Sequence, residues 1–160
     1  MVSAPKDVLI RRAMPGEADL LSELAMRSKA HWGYSEEFMD ACRRELRYEA
    51  PHITANPVFV IEADSRVAGF YSTRPLSPSS VELDGLFVEP EFIGTGLGRQ
   101  LVAHARQIAI AAGATTMVIQ GDPNASSFYL AMGAVPAGQC ESRSVPGRLL
   151  PVFQIDLTSG

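Results

Sequence analysis

The chain has 160 residues, a length typical of a single domain built around one hydrophobic core. Hydrophobic residues make up 46% and charged residues 20% of the sequence, as in ordinary globular proteins. Acidic residues outnumber basic residues by 18 to 14, so the overall charge does not attract nucleic acid or an anionic membrane. We therefore expect one domain over residues 1–160, with no nucleic-acid partner and no membrane partner. Any site for an anion must then be local.

The sequence shows no targeting signal and no membrane helix. Residues 1–7 lack the apolar stretch of a secretory signal peptide. No apolar run approaches the roughly 18 residues that a membrane helix needs. The histidines and cysteines do not have metal-ligand spacing, so we assign no metal. These features predict a cytoplasmic protein.

Hydrophobic periodicity predicts a strand, two helices, three strands, a helix, a strand, a helix and two strands. In chain order these elements lie at 8–11, 15–31, a helix capped by Ser35, 58–61, 67–71, 81–88, 97–112, 115–120, 124–132, 135–140 and 152–157. The helix at 97–112 connects two strands, which makes a parallel strand–helix–strand unit plausible. The sequence therefore predicts a mixed α/β sheet.

A glycine-rich loop joins the strand at 81–88 to the helix at 97–112. Glycine occupies every second position from Gly94 to Gly98. Glycine tolerates positive φ, and backbone amides at a helix N-terminus attract anions, so this loop predicts a phosphate site. The spacing disfavours a Rossmann fingerprint, and the absence of Gly-Lys-Ser/Thr excludes a Walker loop. The alternative is that these glycines only make a tight turn.

A second motif follows the strand at 115–120. It contains Asn124, Phe128-Tyr129 and Gly133-Ala134. Together with the glycine loop, this motif resembles the GNAT superfamily of acetyl-CoA-dependent N-acetyltransferases. That family carries Arg/Gln-x-x-Gly-x-Gly/Ala after its fourth strand and Asn…Phe-Tyr…Gly-Phe after its fifth. The order of elements agrees over nearly the whole chain.

The resemblance implies a mostly antiparallel mixed sheet, about four flanking helices, and splayed fourth and fifth strands. It implies acetyl-CoA as co-substrate, with pantetheine between the splayed strands. Ile93 stands where the family usually has Arg or Gln, and Arg99 could partly compensate. The residues implied in coenzyme binding are Leu86, Phe87, Val88, Ile93, Gly94, Thr95, Gly96, Leu97, Gly98, Arg99, Asn124 and Phe128. Asn124 could also cap its helix.

The resemblance also implies direct attack of an amine on the thioester. Tyr129 then looks like the general acid that protonates the leaving thiolate, and the alternative role is that of a core aromatic residue. Glu82 is the first choice for general base and Asp84 the second, because a carboxylate can deprotonate the ammonium. The alternative for both is a solvated acid on a strand.

Gly85 lies inside the strand at 81–88 and predicts a bulge or a close approach of another group. Without a bulge, Glu82 and Asp84 would share a face with Leu86 and Val88, since strand side chains alternate. The alternative is a small residue under a neighbouring helix.

The acceptor is predicted to be a primary amine of a small molecule or a peptide. The aromatic turn at 31–34 is a candidate for contacting it, or else plugs the core. Arg143 and Arg148 are candidates for binding an acidic group on it, or else belong to a solvated loop. Two other functions stay open, a non-catalytic acyl-CoA sensor and a nucleotide-binding protein. A homodimer is compatible with the sequence, which does not fix the oligomeric state.

Overall fold

The computed structural model describes residues 5–158, which form a seven-stranded sheet with helices on both faces. The strands are β1 (Val8–Arg12), β2 (Val58–Ala63), β3 (Arg66–Pro75), β4 (Ser80–Val88), β5 (Thr116–Gln120), β6 (Val135–Glu141) and β7 (Leu149–Asp156). The α-helices are α1 (Ala18–Ala30), α2 (Glu36–Cys42), α3 (Ala50–Ala55), α4 (Leu97–Ala111) and α5 (Ser126–Ala131). Short 3-10 turns lie at Pro15–Glu17, Pro90–Phe92 and Pro123–Ala125.

The strand order across the sheet is β1-β2-β3-β4-β5-β7-β6. All neighbouring pairs are antiparallel except β4 and β5, which are parallel and connected through α4. The predicted fold class, a mixed and mostly antiparallel sheet flanked by helices, is therefore confirmed.

The sequence prediction missed helix α3. It has only six residues, with Pro51 in its first turn, where proline is tolerated because the first amides of a helix lack intrahelical acceptors. A segment this short shows no sustained helical periodicity. Its buried Ile53 anchors it to the core, and this places Tyr48 and Glu49 beside the sheet.

Local predictions in the first half of the chain agree with the structure. The Ser35 side chain caps α2 by accepting a hydrogen bond from the Phe38 amide at 3.1 Å. The β2–β3 hairpin turns at Asp64 and Ser65, with φ of 51° and 71°. Two consecutive positive φ values match the twist of a two-residue hairpin turn.

The core is divided by the sheet into two layers. Leu97 and Leu101 of α4 pack on one face. Leu21 and Leu24 of α1 pack on the other face, together with residues of α2 and α3. The sheet thus has its glycine-loop helix on one side and its N-terminal helices on the other.

Strands β4 and β5 separate part-way along their length. They pair from Ser80 with Thr116 to Leu83 with Ile119, and no further. Beyond that point β4 stays paired with β3, and β5 stays paired with β7. The predicted splay is therefore present, and it leaves one edge of β4 open.

Within residues 5–158, every helix is too short or too polar to span a lipid bilayer.

Candidate active site

The glycine loop enters α4 through two residues in the left-handed region. Gly94 has φ of 84° and Gly96, the residue before α4, has φ of 91°. Other residues rarely adopt these values, so the alternation of glycine has a direct backbone reason. The loop lies at the N-terminus of a 15-residue helix, whose dipole favours an anion there.

The amides of this loop are available to a ligand. The Gln100 amide donates to the Gly96 carbonyl at 3.1 Å, so the amides of residues 97–99 precede the first helical bond. Within the described part of the chain, the amides of Gly94 and Gly96 also lack an acceptor. Five amides near one helix terminus form a cradle suited to phosphate.

Three side chains of the loop differ in what they offer. Ile93 is 37% exposed, and its side chain is uncharged. Thr95 donates its hydroxyl hydrogen to the Phe92 carbonyl at 2.5 Å. Arg99 is exposed and forms no ion pair with any residue from 5 to 158. The free cation of the loop is therefore Arg99.

The open edge of β4 exposes alternate main-chain groups. The Glu89 amide donates to the Ala68 carbonyl of β3 at 2.8 Å. In an antiparallel pair these bonded positions alternate, so Phe87 turns its main-chain groups to β3 while Leu86 and Val88 turn theirs away. The main-chain groups of Leu86 and Val88 therefore face the open edge, and those of Phe87 face β3.

A bulge in β4 sets the direction of its acids. Ser72 of β3 pairs with Gly85 and Thr73 pairs with Leu83, so Asp84 is the extra residue. Leu83 and Leu86 consequently pack with α4, whereas Glu82 avoids that apolar face. The predicted bulge is confirmed.

Gly85 also makes room for a hydrogen-bonded pair of hydroxyls. A Cβ at this position would collide with the Tyr48 hydroxyl and lie 2.6 Å from Ser72 Oγ. Tyr48 Oη and Ser72 Oγ are 2.9 Å apart. The close approach expected at Gly85 is thus made by the side chains of Tyr48, which precedes α3, and of Ser72 in β3.

Glu82 is buried and only partly satisfied. It is 4% exposed, and Arg74 lies against one of its oxygens, with Nε and Nη2 at 2.7 and 2.6 Å from Oε1. Its Oε2 has no hydrogen-bond partner among residues 5–158, and since no buried side-chain oxygen of these residues lacks a partner, Oε2 is open to solvent. One carboxylate oxygen therefore remains free to accept a proton or bind a cation.

Asp84 is held by a chain of hydroxyls. Ser72 Oγ donates to Asp84 Oδ1 at 2.7 Å, which leaves Tyr48 as the donor to Ser72. Burial, and then the charge of Asp84, raise the pKa of Tyr48 above its usual value. The phenol of Tyr48 stays protonated, so Tyr48 donates to Ser72 and Ser72 donates to Asp84.

Glu82 and Asp84 face a common space, which we call the acidic cavity. Its volume is about 330 Å³. It is lined by Glu45, Arg47, Tyr48, Glu49, Pro51, His52, Glu82, Asp84, Gln120, Arg143 and Leu150. The two base candidates from the sequence are thus brought together, along with Arg143.

Tyr129 lies in different surroundings. Its ring packs in the apolar layer with Phe128 and Phe153, with centroids 5.3 and 5.7 Å away, and a Cβ at Gly121 would lie 3.0 Å from the Tyr129 ring. Burial, and then the charge of Asp122, raise the pKa of Tyr129. Its hydroxyl bonds to no other residue between 5 and 158. Tyr129 is therefore a neutral phenol with an uncommitted proton.

Five polar residues join the helix ends, the end of β5 and the β6–β7 loop. We call them the Asp122 cluster: Lys29, Tyr34, Asp122, Asn124 and Arg148. Lys29 Nζ lies 3.1 Å from Asp122 Oδ2, and Tyr34 donates its hydroxyl hydrogen to Asp122, with oxygens 2.8 and 2.9 Å away. Arg148 Nη2 donates to Tyr34 Oη at 2.8 Å. Burial alone would raise the pKa of Asp122, but hydrogen bonds from the Asn124 amide, Tyr34 and Lys29, together with the charge of Lys29, outweigh it and lower that pKa.

Within this cluster, two sequence expectations need correction. Asn124 does not cap α5, whose N-cap residue is Ala125 and which has no side-chain cap. Asp122 caps the preceding 3-10 turn by accepting from the Asn124 amide at 2.9 Å. The Asn124 side chain instead donates to Tyr34 Oη at 2.9 Å. Arg148 is not a solvated loop residue, since its guanidinium also lies over the Phe38 ring, 4.8 Å from its centroid.

The aromatic turn divides into one packed residue and one exposed residue. Tyr34 stacks on Phe38 with centroids 4.1 Å apart, between Lys29 and Arg148. Trp32 is 42% exposed. Tyr34 therefore serves the internal network, whereas Trp32 lies at the surface.

The described residues contain no group of three or more histidine, cysteine or acidic side chains arranged to hold a metal ion.

Comparison with known proteins shows the family. A family model described as "Acetyltransferase (GNAT) family" matches residues 21–134, which is most of the chain. The protein belongs to the GNAT acetyltransferase family. A peptidyl-lysine N-acetyltransferase, YjaB from Salmonella typhimurium, is 39% identical over 59 residues, which span 37% of this chain and 39% of that relative.

Solved GNAT structures share the fold over nearly the whole chain. The PaiA N-acetyltransferase of Thermoplasma acidophilum, solved with coenzyme A, has a TM-score of 0.78 at 21% identity. That alignment covers 94% of this chain and 99% of the other. The Escherichia coli acetyltransferase for the alanine of ribosomal protein S18 has a TM-score of 0.70 at 13% identity, covering 96% of each chain.

The two GNAT motifs are in contact through one residue of each. The Phe128 ring contacts the α4 glycine at position 98, where an added Cβ would lie 3.4 Å from Cζ, so the two motifs touch. Sequence reasoning missed Lys29 and Asp122 as a pair. Asp122 opens the second motif, but its partner is 93 residues away and no local pattern connects them.

Proposed function

We propose that the protein transfers an acetyl group from acetyl-CoA to a primary amine of a small molecule or peptide. The observation that carries this is the open edge of β4 next to five unpaired amides at the start of α4. Acetyl-CoA has a pantetheine arm that contains amides and is linked to a diphosphate. The amides of the arm match the open edge of β4, and the diphosphate matches the unpaired amides of the loop. The relatives named above, one of them solved with coenzyme A, support the same donor.

The residues present fit this coenzyme. The amides of Gly94, Gly96 and residues 97–99 would hold the diphosphate, with Arg99 adding a positive charge. Leu86 and Val88 would bond the pantetheine amides through their main chains. When bound, acetyl-CoA supplies the thioester that the amine attacks.

Tyr129 would act as the general acid. Its buried phenol keeps its proton because its pKa is raised, and its hydroxyl donates that proton to no neighbour within residues 5–158. A positioned proton donor of this kind contributes about 10²–10⁴-fold to a rate. Its proton would go to the coenzyme thiolate as that group leaves.

Glu82 would act as the general base. An alkylammonium has a pKa of about 10.4, so a neutral attacking amine needs a proton acceptor near neutral pH. The free Oε2 of Glu82 faces the acidic cavity, while Arg74 fixes Oε1. Asp84 shares the cavity and is the alternative base.

The experiment combines a binding assay with a turnover assay. At a hundredfold excess over its Kd, acetyl-CoA should stabilise the fold by roughly 2.7 kcal/mol, which a thermal shift reports. Release of free thiol should follow when amines are added. No shift with millimolar acetyl-CoA would contradict the donor. A shift without thiol release from any amine would favour a non-catalytic acyl-CoA sensor.

A further inference from the structure

We propose that Arg74 is a positioning residue of the transferase. Its guanidinium holds one oxygen of Glu82, so that the other oxygen, Oε2, is presented to the acidic cavity as the proton acceptor. The inference rests on the proposed function, in which Glu82 is the general base. It adds to that site a residue that acts through Glu82 and does not contact the amine.

The bulge in β4 brings Arg74 and Glu82 together. Before the bulge Ser72 pairs with Gly85, and beyond it Arg74 pairs with Glu82. If the register of the first pair continued, Arg74 would lie opposite Leu83 instead. Residues directly opposed in an antiparallel pair point to the same face of the sheet. The extra residue of the bulge therefore places the arginine beside the carboxylate.

The guanidinium binds the two oxygens of Glu82 unequally. Nε and Nη2 of Arg74 lie 2.7 and 2.6 Å from the same oxygen, Oε1. An arginine–carboxylate pair frequently uses both oxygens, one for each N–H group. Here both groups meet one oxygen, while Oε2 accepts no hydrogen bond from residues 5–158 and is open to solvent. Arg74 therefore fixes the direction of the carboxylate and leaves Oε2 able to take a proton.

Asp84 gives the guanidinium a second anchor. Its Oδ2 lies 4.0 Å from Arg74 Nε, and its Oδ1 accepts from the Ser72 hydroxyl at 2.7 Å. Ser72 is bonded in turn to the buried Tyr48 hydroxyl at 2.9 Å. A cation beside two neighbouring carboxylates favours the charged form of each and offsets their repulsion. The arginine is thus held by two acids, one of which is itself fixed by hydroxyl groups.

Glu82 depends on a nearby cation because it is buried. Burial disfavours the charged form of a carboxyl group, whereas a contacting cation favours it. Among residues 5–158, Arg74 is the only one that forms an ion pair with Glu82. The other titratable groups near Glu82 are Asp84, the Cys140 thiol of β6 and those of the cavity lining named above. Arg74 therefore favours the ionised form that a general base needs.

Arg74 itself stays out of the acidic cavity. The lining contains Glu82 and Asp84 but not Arg74. An amine in the cavity would therefore meet the carboxylate and not the guanidinium. This arrangement gives the base a cation while keeping that cation out of contact with the ammonium group, which it would repel.

The test compares two substitutions of Arg74, with acetyl-CoA as donor and either n-butylamine or the peptide acetyl-Ala-Lys-Ala-amide as acceptor. Arg74→Met removes the charge, so the acidic limb of kcat/KM should move up by about one pH unit or more, and kcat/KM on that limb should fall about tenfold or more. Arg74→Lys keeps the charge and loses the fork. Its limb should stay near the wild-type position, with a smaller loss of kcat/KM. The affinity for coenzyme A should be unchanged in both variants.

A double variant shows whether Arg74 acts through Glu82. In Glu82→Gln the base is already absent, so adding Arg74→Met should lower kcat/KM by at most about twofold more. Losses that multiply would reject the positioning role. Arg11→Met is the matched control, because Arg11 Nε also binds a glutamate of the adjacent strand, Glu62, at 2.7 Å. It should leave the pH profile unchanged.

The outcomes separate this inference from the proposed function. NMR of the labelled Glu82 carboxyl carbon, assigned by its loss in Glu82→Gln, follows the titration without turnover. If Arg74→Met moves neither the titration midpoint nor the kinetic limb, the role of Arg74 is overturned and acetyl transfer is unaffected. If the midpoint rises but the wild-type protein releases no thiol with either amine, the coupling of Arg74 to Glu82 is upheld and the transferase is overturned.

Discussion

Ser28 of α1 accepts a hydrogen bond from the Val88 amide, with an N···O distance of 3.3 Å, at the open edge of β4. Beside it, Arg27 binds Glu89 through two hydrogen bonds of 2.9 and 2.7 Å. Helix α1 is therefore attached to the end of β4 at two consecutive positions. One of the main-chain groups proposed to bind pantetheine is already engaged by a side chain.

Ser28→Ala should tighten coenzyme A binding about threefold to tenfold. The variant frees the Val88 amide, so binding no longer exchanges one hydrogen bond for another, and a net bond is worth about 0.5–1.5 kcal/mol. Isothermal calorimetry with coenzyme A measures the change. Weaker binding, in a variant with an unchanged melting temperature, would mean that the Ser28 hydroxyl contacts the coenzyme instead.

Ile93→Arg should also tighten coenzyme binding, and more strongly at low salt. Ile93 is partly exposed, and an arginine there could reach the diphosphate through charge-assisted bonds. Ordering the long side chain reduces the gain, so we expect about threefold to tenfold in Kd. Ile110→Arg adds the same charge near the far end of α4 and should leave Kd unchanged. If Ile93 is packed, or if the diphosphate binds elsewhere, the variant should bind the coenzyme with equal or lower affinity.

Tyr129→Phe should lower kcat by about 10²-fold or more while coenzyme affinity barely changes. The ring and its contacts with Phe153 remain, and only the proton donor is lost. Because the pKa of Tyr129 is raised, the wild-type phenol stays protonated beyond the ordinary tyrosine value near 10. Its ionisation should therefore cause no alkaline fall in kcat below that pH. Unchanged turnover, with chemistry rate-limiting, would remove Tyr129 from the mechanism.

Glu82→Gln should lower the rate at neutral pH and move the acidic limb of the kcat/KM profile to higher pH. Without the base, the amine must lose its proton unaided, which is easier as the pH rises. The affinity for acetyl-CoA should be unchanged. Asp84→Asn is the matched comparison in the same cavity. If only Asp84→Asn displaces the pH profile, Asp84 is the base. If neither variant displaces it, both acids are excluded as the general base.

Gly85→Ala should destabilise the fold by about 1–3 kcal/mol, because the new Cβ meets the Tyr48 and Ser72 hydroxyls. For a domain of this size, each kcal/mol lowers Tm by about 2–4 °C. Tyr48→Phe removes one of the colliding atoms, so the double variant should lose less than the sum of the single losses. Strictly additive losses would show that the glycine does not serve this contact.

Several elements of the site could be predicted from local sequence. Gly94 and Gly96 adopt positive φ values that residues other than glycine rarely adopt, and Gly85 leaves room for the Tyr48 and Ser72 hydroxyls. The Ser35 cap depends on atoms three residues apart. Short-range sterics and hydrogen bonding decide such features, so the residue types alone indicate them.

The sequence by itself determined the order of the seven strands and of every helix except α3, the glycine loop before α4 and the family, because periodicity, glycine spacing and motif order are properties of neighbouring residues. Tertiary structure decided that Phe87 faces β3, that Arg74 compensates Glu82, and that Lys29 reaches Asp122. These outcomes depend on strand register and on side chains far apart in the chain. Neither is encoded in a local pattern, so the direction, charge and partners of the acidic residues appear only once the sheet is assembled.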